Sequence, residues 1–313
     1  KICWIPLGGY VKFFGDRNVF SQSEQENLVN KYNNKDKEKL FILKPLYQRS
    51  IIVAAGPMAN FALAIIIFIF INMTAGKDVT PAVIDEVQQD SPAYAAGLKK
   101  NDKIISIDKN KVESILQVST FINTSASETI EFVVNRNDQE ISFYIKPELK
   151  ESTDSLGNLV KKKMIGIKLS PLNNEFNKKP LGPTQAIYYS FKEVWFVTTT
   201  SLSYLGKIIT GSGDSSQLGG PIRIAKITGQ VAEHGAIPFL SIMAYISISL
   251  GIINLFPIPM LDGGHLMFYF FEKILGKPLS QKTQEGFFRI GLFLLISLMF
   301  FVTFNDLREI GLF

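Results

Sequence analysis

The chain has 313 residues, 46% of them hydrophobic, with 25 Phe and a formal net charge of +5. This composition excludes an ordinary soluble protein and predicts a membrane protein of more than one domain. The basic residues are dispersed and mostly matched by acids, which argues against nucleic acid as a partner. A single cysteine, Cys3, excludes an intrachain disulfide and a cysteine-based zinc cluster, and only two histidines are present, His234 and His265.

The first residue is Lys1 rather than Met, and no secretory signal peptide precedes KICWIPLGGYVKFFGD. The expectation is that the complete protein has residues upstream. Residues 1–50 hold 9 Lys and Arg against 5 Asp and Glu, and are read as a cytoplasmic-side segment. No charge then interrupts the stretch between Arg49 and Lys77. Its core, residues 51–73, exceeds the roughly 20 residues that a bilayer helix needs.

A soluble region follows. PAVIDEVQQDSPAYAAGLKKNDKIISIDKNKV predicts a strand, a helix opened by Ser91-Pro92 and stopped by Gly97, and the alternating strand KIISID. The helix SILQVSTFIN comes next. Two strands of period two complete the unit, with Ile130, Phe132 and Val134 in one and Ile141, Phe143 and Ile145 in the other, joined around Asn137-Asp138. This unit, residues 79–149, resembles a PDZ domain, with Asn101 standing where a Gly before the Asp is common. The resemblance implies capture of extended peptide tails by strand addition; a steric plug over the membrane site is the alternative.

Residues 150–234 are read as a linker with a strand and an interfacial helix, because VWFVTTTSLSYLG from Val194 to Gly206 is too short and too rich in hydroxyls to span alone. The second span begins at residue 235 and is taken to 265; the third covers 286–305. The loop from Glu272 to Arg289 holds 4 basic residues against 2 acidic. The positive-inside rule therefore places this loop and the N-terminal segment in the cytoplasm, and the large intervening region outside. The expected fold is a polytopic α-helical membrane protein with an inserted extracytoplasmic PDZ domain of mixed α/β structure.

The chemistry concentrates in NLFPIPMLDGGH, Asn254 to His265. A carboxylate at membrane depth is costly unless it is paired, protonated, near water or metal-bound, so Asp262 is a functional candidate. Pro257 and Pro259 cannot continue a helix, and irregular backbone at that depth survives only beside protein or a water-filled cavity. Asn254 adds an amide able to pair with extended backbone. An isolated Asp-Gly pair also fits a plain turn where a helix leaves the bilayer.

Together, NLFPIPMLDGGH, AAGPMANF in the first span, PLGGYVK near the N-terminus and LGGPIRIAKITG from Leu218 to Gly229 resemble the site-2 protease family of intramembrane zinc metalloproteases. They are particularly similar to the regulator-of-sigma-E protease type of bacteria. The likeness implies one zinc ion held by two histidines of an HExxH helix and by Asp262, with the HExxH glutamate as general base. Such a site leaves an open position that lowers the pKa of a bound water.

On this resemblance Gly8, Gly9 and Tyr10 belong to a membrane-re-entrant β-loop that offers substrate a strand edge. Gly56 and Asn60 form a GxxxN pattern that allows close packing and brings an amide near the site. Asn254, Pro257 and Pro259 hold substrate extended, and Gly263 and Gly264 are structural. His265, three residues after Asp262, is read as part of the LDGGH motif rather than as a ligand, and His234 as a solvated loop residue. Expected substrates are single-span membrane proteins or remnant signal peptides, and the expected location is the bacterial plasma membrane.

HExxH does not occur in the 313 residues. The expectation is that it lies upstream, and that the chain alone is inactive. The single PDZ domain, where envelope-stress enzymes of this type often have two, argues against an anti-sigma-factor substrate. A noncatalytic scaffold that holds partner tails is the alternative from another class.

Overall fold

The computed structural model describes residues 40–125, 127–153, 159–171, 177–211, 215 and 218–309. Gly8, Gly9, Tyr10 and the expected re-entrant β-loop lie outside the described residues. The chain divides into two compact units, residues 1–61 with 250–300 and residues 62–249 with 301–313.

Among the described residues, three helices are long and apolar enough to cross a membrane: α1 (Leu46–Thr74), Ala236–Leu255 and the greater part of Gln281–Glu309. Their large side chains are widely exposed within the protein, Phe293 at 70% and Phe300 at 75%. An apolar surface on that scale requires lipid or a partner to cover it.

The α/β part lies in the second unit. After α1 come β1 (Lys77–Asp78), β2 (Ile84–Val87), α2 (Pro92–Ala96), β3 (Lys103–Ile107), β4 (Asn110–Lys111) and α3 (Ile115–Thr124). They are followed by β5 (Ile130–Arg136), β6 (Gln139–Ile145), β7 (Glu148–Thr153), β8 (Leu159–Met164), β9 (Ile167–Leu169) and β10 (Lys178–Lys179). The main sheet has the order β4-β3-β5-β6, and β2–β9, β1–β10 and β7–β8 form antiparallel ladders.

Local sequence signals decide several of these elements. Ser91 Oγ accepts from the Tyr94 amide at 3.2 Å and Pro92 occupies the first turn, while Gly97 ends the helix at φ 90°. Asn137 and Asp138 take φ 52° and 63°, the paired left-handed geometry of a two-residue hairpin turn. Asn101 sits at φ 71°, where Asn is the best-tolerated replacement for Gly. The period-two pattern buries Ile130, Phe132 and Val134 completely, and they join Ile84, Ile104, Ile107 and Ile145 in the core.

Beneath α2 the Asp102 carboxylate is fully buried. Arg136 grips it through Nε and Nη2, both at 2.7 Å, while Nη2 also donates to the Gly97 carbonyl. The hydrogen bonds that Arg136 donates to Asp102 raise its guanidinium above its ordinary pKa.

Two features extend beyond the sequence reading. Ile165 enters the core and β9 pairs with β2, so part of the segment read as a linker completes the α/β fold. The hydroxyl-rich stretch 194–206 lies inside one long helix, α4 (Pro183–Ile209). Its threonines are accommodated because Thr198 and Thr199 donate to the carbonyls of Val194 and Trp195, four residues back. The buried face of α4 carries Ala186, Ser190 and Val194, and Phe196 meets Phe121 of α3 edge-on at 5.5 Å.

The LGGP segment leads into α5 (Pro221–Ala232). Asp306, buried to 2% exposure, accepts from the amides of Gly220, Ile222 and Arg223 at 2.7, 3.0 and 3.1 Å. It supplies the side-chain cap that Gly220 lacks.

Candidate metal centre

The second span, α6 (Ala236–Leu255), stops at Leu255, and Asp262 opens a new helix, α7 (Asp262–Leu275). The helix therefore does not continue to residue 265. The prolines explain the break: Phe256 to Leu261 form a tight irregular connection with Ile258 N donating to Phe256 O at 2.7 Å and Leu261 N to Ile258 O at 3.0 Å. Met260 adopts φ 95°, a strained conformation for a side-chain-bearing residue. Asn254 stands in the last turn of α6, and Pro257 and Pro259 lie in the connection.

The Gly-Gly pair lets this connection fold back onto the first turn of α7. A Cβ on Gly263 would lie 2.3 Å from the carbonyl oxygens of both Leu255 and Phe256, and one on Gly264 would lie 2.4 Å from that of Ile258. Gly291, in α8 (Gln281–Glu309), makes a similar approach, with a Cβ there reaching 2.0 Å from the Pro259 carbonyl oxygen. Three glycines thus pack backbone against backbone around the prolines.

Asp262 faces α1. A Cβ on Gly56 would sit 3.0 Å from Asp262 Oδ2, so the missing side chain leaves the carboxylate its place. Pro57, inside α1, removes the helical hydrogen bond to the Val53 carbonyl. Asn60 lies one turn beyond Gly56 on the same helix face. His265 packs among aromatics, with ring centroids 5.7 Å from Phe288 and 6.4 Å from Phe268. His234 is exposed, and its Nδ1 is 2.9 Å from the Gln230 carbonyl.

A second contact holds α7 against α1. Arg49 places Nη2 at 2.5 Å and Nη1 at 3.3 Å from the two carboxylate oxygens of Glu272, donates from Nε to the Lys44 carbonyl at 3.1 Å, and lies 5.1 Å above the Tyr269 ring. The sequence reading missed this pair, treating Arg49 as the charge that bounds the first span. It also missed Gly291, whose signal was a small residue in an otherwise bulky apolar run.

Among the described residues no group of three His, Cys, Asp or Glu side chains is arranged to hold a metal. Asp262 fits a zinc ion as one oxygen ligand, beside a space that any Cβ at position 56 would fill; the described residues do not complete the ligand set.

The sequence profile of peptidase family M50 matches residues 1–298. The chain belongs to peptidase family M50. It is 37% identical over 310 residues, 99% of this chain and 82% of the relative, to a protein of Agrobacterium fabrum named "Putative zinc metalloprotease Atu1380". It is 33% identical over 330 residues to "Metalloprotease MmpA" of Caulobacter vibrioides, covering 99% of this chain and 82% of that one. Among solved structures, the PDZ domain of an SdrC-like protein from Listeria monocytogenes is similar at 26% identity, covering 30% of the M50 chain and 90% of that domain, with a TM-score of 0.23.

Proposed function

We propose that this M50 protein is an intramembrane zinc metalloendopeptidase of the site-2 type, which cleaves transmembrane segments of single-span proteins or remnant signal peptides in the bacterial plasma membrane. The observation that carries this reading is the Asp262 carboxylate, set at the start of α7 against the bare backbone of Gly56 and framed by the Gly263, Gly264 and Gly291 contacts.

In this reading Asp262 is one ligand of a single zinc ion, and the two histidines and general-base glutamate of an HExxH helix come from a segment outside these 313 residues. The metal, when bound, supplies Lewis-acid activation of water and of a peptide carbonyl. The protein's own groups do the rest. An intact helix hides its peptide bonds, so the irregular stretch around Pro257 and Pro259, with the amides of Asn254 and Asn60, receives the substrate as extended chain. Gly8, Gly9 and Tyr10 are assigned to the same substrate contact by this reading.

The α/β unit is read as an extracytoplasmic PDZ domain that binds peptide tails and limits which substrates reach the membrane site, making the process regulated intramembrane proteolysis. The test is cleavage of a single-span substrate by the full-length protein in proteoliposomes. Asp262→Asn is expected to abolish cleavage while leaving the thermal transition in place. Retained cleavage by Asp262→Asn overturns the reading.

A further inference from the structure

Asp262 and Arg49 lie in the same compact unit, and two contacts join the helices that carry them. Gly56 meets Asp262, and Arg49 meets Glu272. Arg49 precedes Gly56 by two helical turns, while Glu272 follows Asp262 by almost three. The helices therefore pack antiparallel, with contact points separated by ~10–15 Å at 1.5 Å rise per residue.

One contact leaves a helix free to slide or roll. The glycine contact in particular offers no directional bond, because Gly56 contributes only open space. A slide of one turn, ~5.4 Å, would carry Glu272 out of reach of Arg49. All three guanidinium nitrogens are engaged, the side chains are only 16% and 19% exposed, and Tyr269 backs the plane. A bidentate fork of this kind fixes angle as well as distance, which a lysine cannot do.

We propose that Arg49 and Glu272 are a positioning pair: their ion pair sets the register of α7 on α1 and thereby holds the Asp262 carboxylate over Gly56. The cation at the edge of the first span then has a second role beyond orienting the chain in the membrane. The proposal rests on the reading of Asp262 as the functional carboxylate, but the register it describes is measurable without any catalysis.

The experiment uses the full-length protein with Cys3→Ser and the cysteine pair Gly56→Cys and Asp262→Cys. The Cβ position at residue 56 lies 3.8 Å from Asp262 Cγ, so the rate at which cysteines at the two positions cross-link reports how the two helices are aligned. Oxidative cross-linking rate is measured in this parent, with Arg49→Glu, with Glu272→Arg, with both reversals together, and with Arg49→Lys.

Each single reversal is expected to slow cross-linking at least tenfold, Arg49→Lys about threefold, and the double reversal to recover to within about threefold of the parent. The same series, with Gly56 and Asp262 intact, is expected to show the same order in substrate cleavage. Single reversals that cross-link at the parent rate, or a double reversal no faster than the singles, overturn the proposal. If cross-linking follows the expected order while the intact protein cleaves no substrate, the positioning pair stands and the protease reading fails.

Discussion

A methyl group placed on Gly56 would lie 3.0 Å from Asp262 Oδ2, tighter than ordinary van der Waals contact. The collision is with a side-chain oxygen, not with backbone. Gly56→Ala is therefore expected to displace the carboxylate and leave the helices packed. The expected outcome is a fall in cleavage of about tenfold, equivalent to ~1.4 kcal/mol, with a thermal transition close to wild type. Kinetics and calorimetry on the same preparation check both halves.

Asp102 concerns the α/β unit alone. Its carboxylate is fully buried, receives two Arg136 hydrogen bonds at 2.7 Å and accepts from the Lys99 amide at 2.8 Å. Replacing it with Ala leaves the guanidinium facing an empty, half-buried place. Breaking a buried pair in this way costs about 3–5 kcal/mol. Asp102→Ala is expected to melt the α/β unit first, seen as a separate low-temperature transition, with the spanning helices still folded.

Asp306 joins the last turns of α8 to the start of α5 through three backbone amides. An amide side chain retains one acceptor oxygen in place of two and loses the charge that favours a helix N-terminus. Asp306→Asn is expected to fray the first turn of α5 at a cost of about 1–2 kcal/mol. Hydrogen exchange at the Gly220, Ile222 and Arg223 amides should rise roughly tenfold, while exchange in α4 stays unchanged.

Glu113 gives a pH dependence. It is paired with both Lys77 and Lys192, so it ties α4 to the α/β unit. Burial raises its pKa, but the two lysines outweigh burial and hold it below the ordinary glutamate value. A depressed folded-state pKa means that the stabilisation is complete above the unfolded pKa and is lost as pH falls through the folded one. Acidification below the ordinary glutamate range is expected to loosen α4 from α3, followed as increased exchange around Phe196. Glu113→Gln should remove that acid step and show the looser state at neutral pH.

The sequence made legible whatever is decided locally. Ser91, Pro92 and Gly97 mark both ends of α2, and Asn137-Asp138 marks the β5–β6 hairpin, because a cap or turn needs only its neighbours. Asp262 stood out because a carboxylate at the end of an apolar span is costly at membrane depth unless something there stabilises it. Pairings across long stretches of chain left no such trace. β2 with β9, Asp306 with Gly220, and Arg49 with Glu272 at a separation of 223 residues are fixed by tertiary packing. The full length of α4 was hidden for a related reason: composition counts its hydroxyls as polar, whereas Thr198 and Thr199 satisfy themselves on the preceding turn.

Metal content decides whether Asp262 is a zinc ligand. Full-length wild-type protein and Asp262→Asn, purified identically without added metal, would be analysed for zinc per mole of protein. Close to one zinc is expected in the wild type and a loss of most of it in Asp262→Asn, with both proteins unfolding at similar temperatures. Equal zinc in the two, or none in an active wild type, would contradict it.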